Sequence, residues 1–546
     1  MRFRRFFAMA ASLAVIASGL ALPVARAQQA QRPVAIVSIS PLDRLLQDTS
    51  YLLKACNVPE VGGLVSIMAN QYTQGVDKSK PIGVSISLEG PMPSAVIFLP
   101  ISDRQKFFGA LAGMGIEPDD LGDGMFEIDA NGQTIYAKDS SGWLFIAQSE
   151  EALANVPADP AKLLGALPQQ YDVAVNLDLQ ALPPEMKQMA IDQMRIGLER
   201  GMAEQRGLSA EELAKAKELS AANIKQLEQL INDTDKVIIG WNVEAPKQQV
   251  HFDLAAQFIS GSKSAGQLAL MQNLKSDFTQ LPAPGSAVHF RFTSKIAEAD
   301  KAAQIMNLRN SMSQAAQQIP EKDRPMAKQI LDGLTKVMEA TIQEGTFDGA
   351  GSVSLDDDTF RAVLGGKVAD GRALEAELKR VADAVSGKPS APEFKFNTGT
   401  HQGMTLHSVR FPIKSDDRTV QKAFGDAILL SVATADDAFM ISVDPTGDTA
   451  LKAAIDRMGS AKAQGVTPMD ATLEVAQIIR YAQALAPNPL LDNALQTVQQ
   501  YVGKDKVQLA ARMIERGAMY RITIEEGVLR SAGAAAKGGN NANGGF

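Results

Sequence analysis

The sequence has almost none of the residues that usually mark a catalytic or metal centre. Cys56 is the single cysteine among 546 residues, so no disulfide can form within the chain. The histidines have neither the i, i+4 helical spacing of zinc proteases nor a cysteine partner; they are His251, His289, His401 and His407. Glycine-rich phosphate loops, Cys-x-x-Cys pairs and Gly-x-Ser-x-Gly elbows are also missing. The sequence therefore predicts no cofactor and no metal site.

Aromatic residues are scarce as well, at 5% of the chain, and acidic residues outnumber basic ones. Lys and Arg number 54 against 62 Asp and Glu, which gives a net charge of −8. Nucleic acid is itself strongly negative, so we expect no nucleic-acid partner. The hydrophobic content of 45% still suits a folded protein. Its core must be built mainly from Val, Ile, Leu, Ala and Met.

The first 27 residues have the features of an export signal. Three arginines within the first five residues precede an apolar run over 6–22, and the segment closes on an A-x-A cleavage pattern at 25–27. Cleavage after residue 27 removes four arginines and no acidic residue, so the net charge becomes −12. We expect export to the periplasm, the cell envelope or the medium. No later run is apolar for long enough to cross a bilayer, so no transmembrane segment is expected after cleavage.

Two stretches with the same layout, GVSISLEG at 83–90 and GSVSLDDD at 351–358, indicate an internal duplication. Aligned on Leu88 and Leu355, the copies are 267 residues apart, and each has an alternating apolar strand, a turn and a second strand. An aspartate in the N-cap position of a helix follows, Asp103 or Asp370. Further matched strands occur in the same order along the chain; they start near Ala35 and Ala287, Tyr171 and Asp470, and Lys236 and Lys506.

This duplication determines the predicted domains and fold class. We expect a first half over 28–282 and a second half over 285–535, joined at the Pro- and Gly-containing seam TQLPAPGSA. The tail over 536–546 has no apolar periodicity and is predicted to be disordered. A hairpin with one apolar face and an amphipathic helix bury each other. The predicted fold is α+β: two tandem copies of a large, mostly antiparallel sheet covered on one face by helices.

This layout resembles uncharacterised families of exported bacterial proteins built from β-hairpin and helix repeats. The resemblance covers the whole chain after the export signal, in layout and without a shared motif. It implies the α+β fold and transfers no function.

A methionine-rich face on the helix that begins near Pro184 is the candidate binding feature of the sequence. Thioether side chains at helical spacing fit three uses: a flexible core stripe against the sheet, soft ligands for copper(I), or the lining for an apolar ligand or partner helix. The core stripe is the simplest interpretation. The residues of the possible apolar-ligand face are Met186, Met189, Met194, Leu198 and Met202.

A large scaffold with few catalytic residues predicts a non-catalytic exported protein of the periplasm or cell envelope, with a binding or structural role. One alternative is a carrier for a lipid or another apolar ligand, held between the sheet and the methionine-rich helices. A second alternative is an enzyme whose unrecognised site is assembled from scattered Asp, Glu, Lys and Tyr. The expected partner is therefore a protein or an apolar small molecule.

Overall fold

The structure is a computed structural model of the 546-residue chain. It describes residues 32–88, 93–130, 132–203, 224–317, 319, 321, 324–356, 359–387, 391–413, 418–459 and 463–543. The predicted export signal over 1–27 lies outside these residues. The chain divides into two compact units, Met1–Ser264 and Ala265–Phe546.

The first unit contains ten strands in its described part. They are β1 (Ala35–Ile39), β2 (Ile82–Ser87), β3 (Ser94–Pro100), β4 (Pro118–Gly122), β5 (Met125–Ala130), β6 (Gln133–Ser140), β7 (Trp143–Ala147), β8 (Val173–Asp178), β9 (Thr234–Glu244) and β10 (Gln249–Phe258). Its helices are α1 (Leu42–Ala55), α2 (Pro59–Tyr72), α3 (Arg104–Ala112), α4 (Ala161–Leu164), α5 (Leu167–Gln170) and α6 (Pro184–Ala203). Residues 224–233 are also helical. Helix α7 (Lys263–Ala269) contains the division between the units.

The second unit repeats this content with two very short extra strands, β11 (Lys275–Ser276) and β19 (Gln464–Gly465), which pair with each other. Its other strands are β12 (Val288–Lys295), β13 (Thr346–Asp356), β14 (Thr359–Lys367), β15 (Glu393–His401), β16 (Met404–Pro412), β17 (Ala427–Thr434), β18 (Ala438–Val443), β20 (Met469–Glu474), β21 (Lys506–Ile514) and β22 (Gly517–Glu525). Its helices are α8 (Lys301–Gln317), α9 (Arg324–Glu344), α10 (Gly371–Val385), α11 (Arg418–Phe424), α12 (Thr449–Gly459), α13 (Val475–Leu485), α14 (Pro489–Val498) and α15 (Glu526–Asn543).

Both units contain the same antiparallel sheet. Strand order in the first unit is β4-β5-β6-β7-β3-β2-β1-β8-β9-β10. Strand order in the second is β15-β16-β17-β18-β14-β13-β12-β20-β21-β22. If the strands of each unit are numbered from one to ten along the chain, with β11 and β19 left out, the two orders are identical. The α+β fold of two tandem copies with large antiparallel sheets is therefore confirmed.

The copies agree in register as well as in order. Val84 pairs with Ile97, and the residues 267 positions later, Gly351 and Leu364, pair in the same way. The two aspartates both cap helices: the backbone N–H of Lys106 donates to Asp103 at 3.1 Å, and that of Ala373 to Asp370 at 2.9 Å. Both caps satisfy a helix N–H that has no partner within the helix.

Helices pack against both faces of the sheet around β7 and β18, whereas the sequence analysis placed them on one face. In β7, Trp143 and Phe145 join a core beneath α4, while Leu144 between them joins a core beneath α3. Three consecutive apolar residues in a strand point to alternate faces, so both faces need cover. In the second unit α12 packs on one face through Leu451. Helix α10 packs on the other through Glu375, next to His407.

Two predicted boundaries compare with the structure as follows. The division at Ser264 and Ala265 precedes the predicted seam over 279–287, which lies in the second unit. Helix α15 continues to Asn543, so residues 536–543 are helical where the sequence analysis expected disorder. The alanines before Lys537 favour continued helix because alanine has the highest helix propensity. Among the described residues, no helix is both long and apolar enough to cross a bilayer.

Candidate functional site

Among the described residues, one face of six neighbouring strands in the second unit's sheet carries no charged side chain. Alternate residues of six neighbouring strands share this face because side chains along a strand point to opposite sides. We call it the open face. Its residues are Val288, Phe290, Phe292, Ser294, Phe347, Gly349, Gly351, Val353, Leu355, Phe360, Ala362, Leu364, Gly366, Met469, Ala471, Leu473, Val507, Leu509, Ala511, Met513, Ala518, Tyr520, Ile522 and Ile524.

The open face is only partly covered. Five of its large side chains are 39–49% exposed: Phe292, Leu364, Leu473, Tyr520 and Ile522. Most of the others are half-buried. Contiguous exposed apolar surface makes this face a candidate interaction site.

Two glycines flatten the centre of the open face. A Cβ at Gly349 would come within 2.9 Å of the Phe292 ring, and one at Gly351 within 2.7 Å of the Phe290 ring. The two phenyl rings therefore lie down over the glycine backbone of the neighbouring strand. The result is an apolar surface in which two phenyl rings cover the glycine backbone.

The opposite face of the same strands is polar. Arg291 makes a bidentate pair with Asp470, with its Nε 3.1 Å and its Nη2 2.9 Å from carboxylate oxygens. Thr293 donates to Asp348 at 2.9 Å, and both side chains are buried. The sheet is thus amphipathic in this region, with charge on one side and none on the other.

The first unit has a corresponding apolar face. On β8 and β10, the side chains of Val173, Phe252 and Leu254 are exposed. Tyr171, just before β8, points to the opposite side and is buried. It donates from its hydroxyl to Asp253 at 2.9 Å. The open apolar side is therefore a property of both copies.

Helices near these faces bury few side chains. Helix α13 is strongly apolar, yet it contains no buried residue. In α1 the one buried residue is Ala55. A helix that packs tightly on a sheet buries a continuous stripe, so these helices cover the sheet loosely.

The predicted methionine face lies on α6. Met186 and Met189 are half-buried, and Met194 is 37% exposed. Among the side chains of this helix that the structure describes, the fully buried one is Ile191, at 2% exposure. The side chains of Leu198 and Met202 lie outside the described residues. The structure thus places three of the five predicted residues on a half-open helix surface.

A cavity of about 350 Å³ lies beside α11 in the second unit. Its lining is Thr359, Arg410, Lys422, Ala423, Phe424, Gly425, Asp426, Ala427, Leu429 and Pro445. The guanidinium of Arg410 lies 2.8 Å from Asp426 and 3.7 Å from Glu393. Lys422 donates to the carbonyl oxygen of Ala484. Because both cations have partners, the cavity presents no unpaired positive charge to a ligand.

A buried ionic cluster joins α1 to the sheet of the first unit. The Nε of Arg44 lies 3.1 Å from Asp172 and 3.5 Å from Asp48. Asp172, 1% exposed, also accepts from the backbone N–H of Val243 at 2.7 Å. Burial and the neighbouring carboxylate of Asp172 raise the pKa of Asp48 from 3.8 to about 6. The guanidinium of Arg44 thus lies within ion-pair distance of two carboxyl groups, those of Asp172 and Asp48.

His407 occupies a buried polar position in the second unit. The backbone N–H of Asn397 donates to its Nδ1 at 3.2 Å, and its Nε2 lies 3.3 Å from the Thr434 hydroxyl. Burial lowers the pKa of His407, although Glu375 at 3.8 Å opposes the shift. An imidazole that accepts at one nitrogen and donates at the other is neutral. The group acts as a structural hydrogen-bonding residue.

Within the described part of the chain, no three His, Cys, Asp or Glu side chains lie close enough together to hold a metal ion. Cys56 is half-buried, and burial raises the pKa of its thiol. A raised pKa keeps the sulfur protonated and less nucleophilic.

The open face was not predicted from the sequence. Its signal was present as uninterrupted alternation in strands such as β12, where Val288, Phe290 and Phe292 share one side.

Comparison with known proteins identifies no family. No protein-family description and no curated protein matches the chain. Among solved structures, crystal form IV of TP0453 aligns with a TM-score of 0.22 and 7% sequence identity, over 44% of this chain and 81% of that chain. A likeness of this size establishes neither fold nor function.

Proposed function

We propose that the protein is a non-catalytic binding protein that takes lipid acyl chains on its open face. The observation that carries this proposal is a six-stranded sheet face without a charged residue, on which five large side chains stay 39–49% exposed. Keeping such a surface in water is unfavourable by about 25 cal/mol for each Å² of apolar area. A ligand that covers the surface recovers this free energy.

An acyl chain fits the chemistry of this face better than a polar ligand does. The Tyr520 hydroxyl is the one side-chain hydrogen-bonding group among the large exposed residues, so the face offers almost no directional contact. Acyl chains need none, because each buried CH₂ contributes about 0.8 kcal/mol through the hydrophobic effect alone. The flat centre over Gly349 and Gly351 lets an extended chain lie along the sheet.

We also propose that the protein is exported. The arginine-led apolar leader and its A-x-A pattern support a site of action in the periplasm, the cell envelope or the medium. A protein that shields acyl chains from water is useful in such a compartment. A binding role for a protein partner on the same face is the second candidate, supported by the same exposed side chains.

The test is to identify what the protein carries and where. Protein purified natively from its source is extracted with organic solvent, and the extract is analysed by mass spectrometry for lipid at near-stoichiometric amounts. In parallel, binding of a fluorescent fatty acid is measured for the wild type, Ile522→Lys and Gln508→Lys. Ile522 lies on the open face and Gln508 on the opposite face of the adjacent strand.

We expect Ile522→Lys to weaken fatty-acid binding at least about tenfold, since a lysine ammonium must lose its hydration to lie under an acyl chain. Gln508→Lys is expected to bind like the wild type. Absence of lipid from the native protein together with no fatty-acid binding would overturn the proposal. It would leave the protein-partner candidate.

A further inference from the structure

Helix α2 of the first unit exposes an apolar stripe that nothing in the described structure covers. Val61, Leu64 and Ile67 are 45%, 58% and 67% exposed. They recur at a spacing of three and so lie along one side of the helix. The 14-residue helix carries a single charged residue, Glu60, in its first turn.

The matching helix of the second unit shows that this exposure is not imposed by the fold. Helix α9 follows β12 and α8 as α2 follows β1 and α1. It carries six charged residues and packs against α10, whose Arg380 donates to the carbonyl oxygen of Gln329 at 3.0 Å. Gly333 lies so close to Glu377 that a Cβ there would come within 2.0 Å of its carboxylate. The charge-free stripe is therefore specific to α2.

The size of the stripe argues against a protein as its cover. Three partly exposed aliphatic side chains present on the order of 300 Å² of apolar surface, well below the roughly 800 Å² per partner of a stable protein interface. Attachment to a lipid bilayer instead strengthens continuously with the apolar area that enters the headgroup and acyl boundary and with attraction to anionic lipid. At 14 residues the helix is too short to cross a bilayer.

Lysines at both ends of α2 give the stripe a charge preference. Lys54 lies in the last turn of the preceding helix. Lys78 donates to Asn70 at 2.8 Å, which holds its ammonium against the C-terminal end of α2. Lys106 on the neighbouring α3 is exposed as well, but its ammonium lies 3.0 Å from the carboxylate of Asp103, so this pair adds no net charge. In a protein with a net charge of −8, Lys54 and Lys78 favour an anionic surface locally.

We propose that α2 is a membrane-docking helix, whose Val61, Leu64 and Ile67 enter the headgroup and acyl boundary of an anionic phospholipid bilayer. The helix lies in the plane of the membrane with the flanking lysines at the headgroups. This inference extends the proposed function, because it names the surface at which a lipid-binding protein meets its ligand. It rests on different residues from the open face and is separable from it by experiment.

The experiment is flotation of the purified protein with vesicles of phosphatidylcholine, with and without phosphatidylglycerol. We expect the wild type to float with vesicles that contain phosphatidylglycerol and to do so less at high salt. Leu64→Glu combined with Ile67→Glu is expected to lower the bound-to-free ratio about tenfold or more. The control is Val502→Glu, at an apolar residue 86% exposed in the second unit, which is expected to float like the wild type.

The outcomes separate this inference from the proposed function. Ile522→Lys is expected to float normally, and the α2 double variant to bind fluorescent fatty acid normally. Circular dichroism and the urea midpoint check that each variant is folded. A wild type that does not float, or a double variant that floats as well as the wild type, would overturn the inference. Dimerisation of the wild type that the double variant abolishes would also overturn it, since a second copy would then cover the stripe.

Discussion

The two units use different chemistry at the same place in the fold. In the first unit Phe108 on α3 and Phe126 on β5 form an edge-to-face ring pair with centroids 4.8 Å apart. Phe108 and Glu375 are each five residues beyond an N-cap aspartate, and in the second unit Glu375 lies 3.8 Å from His407 on β16. An apolar contact and a polar contact thus connect helix to sheet at equivalent positions. The comparison teaches that the layout of apolar faces, and not individual contacts, specifies this fold.

A second difference lies between the central strands. Gly83 pairs with Phe98 across β2 and β3, and 267 residues later Ala350 pairs with Gly365 across β13 and β14. In the first unit the Phe98 ring fills the space over Gly83. In the second, Leu281 from a connecting segment fills the space over Gly365. Both copies are therefore closely packed at this position, the first by a ring from the paired strand and the second by a side chain from a connecting segment.

The largest predicted loss of stability comes from placing an alanine, which the second unit has at position 350, at the equivalent glycine of the first unit, Gly83. Gly83→Ala places a Cβ 2.1 Å from the Phe98 ring and 2.8 Å from Leu164. We expect it to lower the free energy of unfolding by about 3 kcal/mol, since overpacking forces ring and strand apart. Urea unfolding measures the change.

The matched control is Ala350→Gly, which introduces no clash and is expected to cost about 1 kcal/mol. Adding Phe98→Leu to Gly83→Ala should recover part of the loss. Equal costs for Gly83→Ala and Ala350→Gly would show that the packing difference between the copies is not real.

The next prediction concerns the ionic cluster of the first unit. Because the pKa of Asp48 is raised to about 6 in the folded protein, the folded state holds this proton more tightly than the unfolded state. The stabilisation that this tighter proton binding gives the folded state is complete below about pH 4 and is lost as pH rises through about 6. We expect Asp48→Asn to match the wild type at pH 4 and to exceed it by about 2 kcal/mol at pH 7.5.

Urea unfolding at several pH values tests this, with Asp43→Asn on the same helix as the control variant. A difference between wild type and Asp48→Asn that does not grow between pH 4 and pH 7.5 would contradict the prediction.

The smallest effect is expected at His407, and it has the opposite sign. Since burial lowers the pKa of this imidazole, the unfolded state takes up the proton first as pH falls below about 6.5. Stability from this position is therefore lost at low pH. The equivalent residues of the first unit are both phenylalanines, so the matching double variant is His407→Phe with Glu375→Phe. It should remove this loss and change the free energy of unfolding at pH 5 by less than about 1 kcal/mol.

Unfolding of the double variant at pH 5 and pH 7.5 provides the measurement, and Asp456→Asn, beside the surface residue His401, is a suitable control. An unchanged pH dependence would show that His407 is not the group whose protonation destabilises the second unit at low pH.

Part of this fold could be predicted from local sequence pattern. The strand pairs β2–β3 and β13–β14 and the N-caps Asp103 and Asp370 depend on neighbours within a few residues, and the structure has them where the pattern predicts. The meander of β4–β7 and its counterpart β15–β18 could not be matched from sequence, because replacements such as Phe126 by His407 preserve burial while they erase similarity. The insertion of α11 between β16 and β17 hides the correspondence further, since only two residues separate β5 from β6 along the chain.

The candidate site was harder to predict than the fold. The methionines of α6 were chosen for their chemistry, yet the buried anchor of that helix is Ile191. The open face consists of ordinary Val, Leu, Ile and Phe residues, whose alternation is the same whether a face is covered or exposed. No property of a single strand distinguishes the two cases.

The sequence by itself determined the alternation of the strands, the periodicity and caps of the helices, the duplication and the lack of disulfides, because these depend on residue type and short spacing. Tertiary structure decided the order of the strands and which apolar surfaces stay uncovered, namely the open face and the stripe on α2. Exposure is set by which distant segments come to pack on a surface, and that depends on contacts between residues hundreds of positions apart.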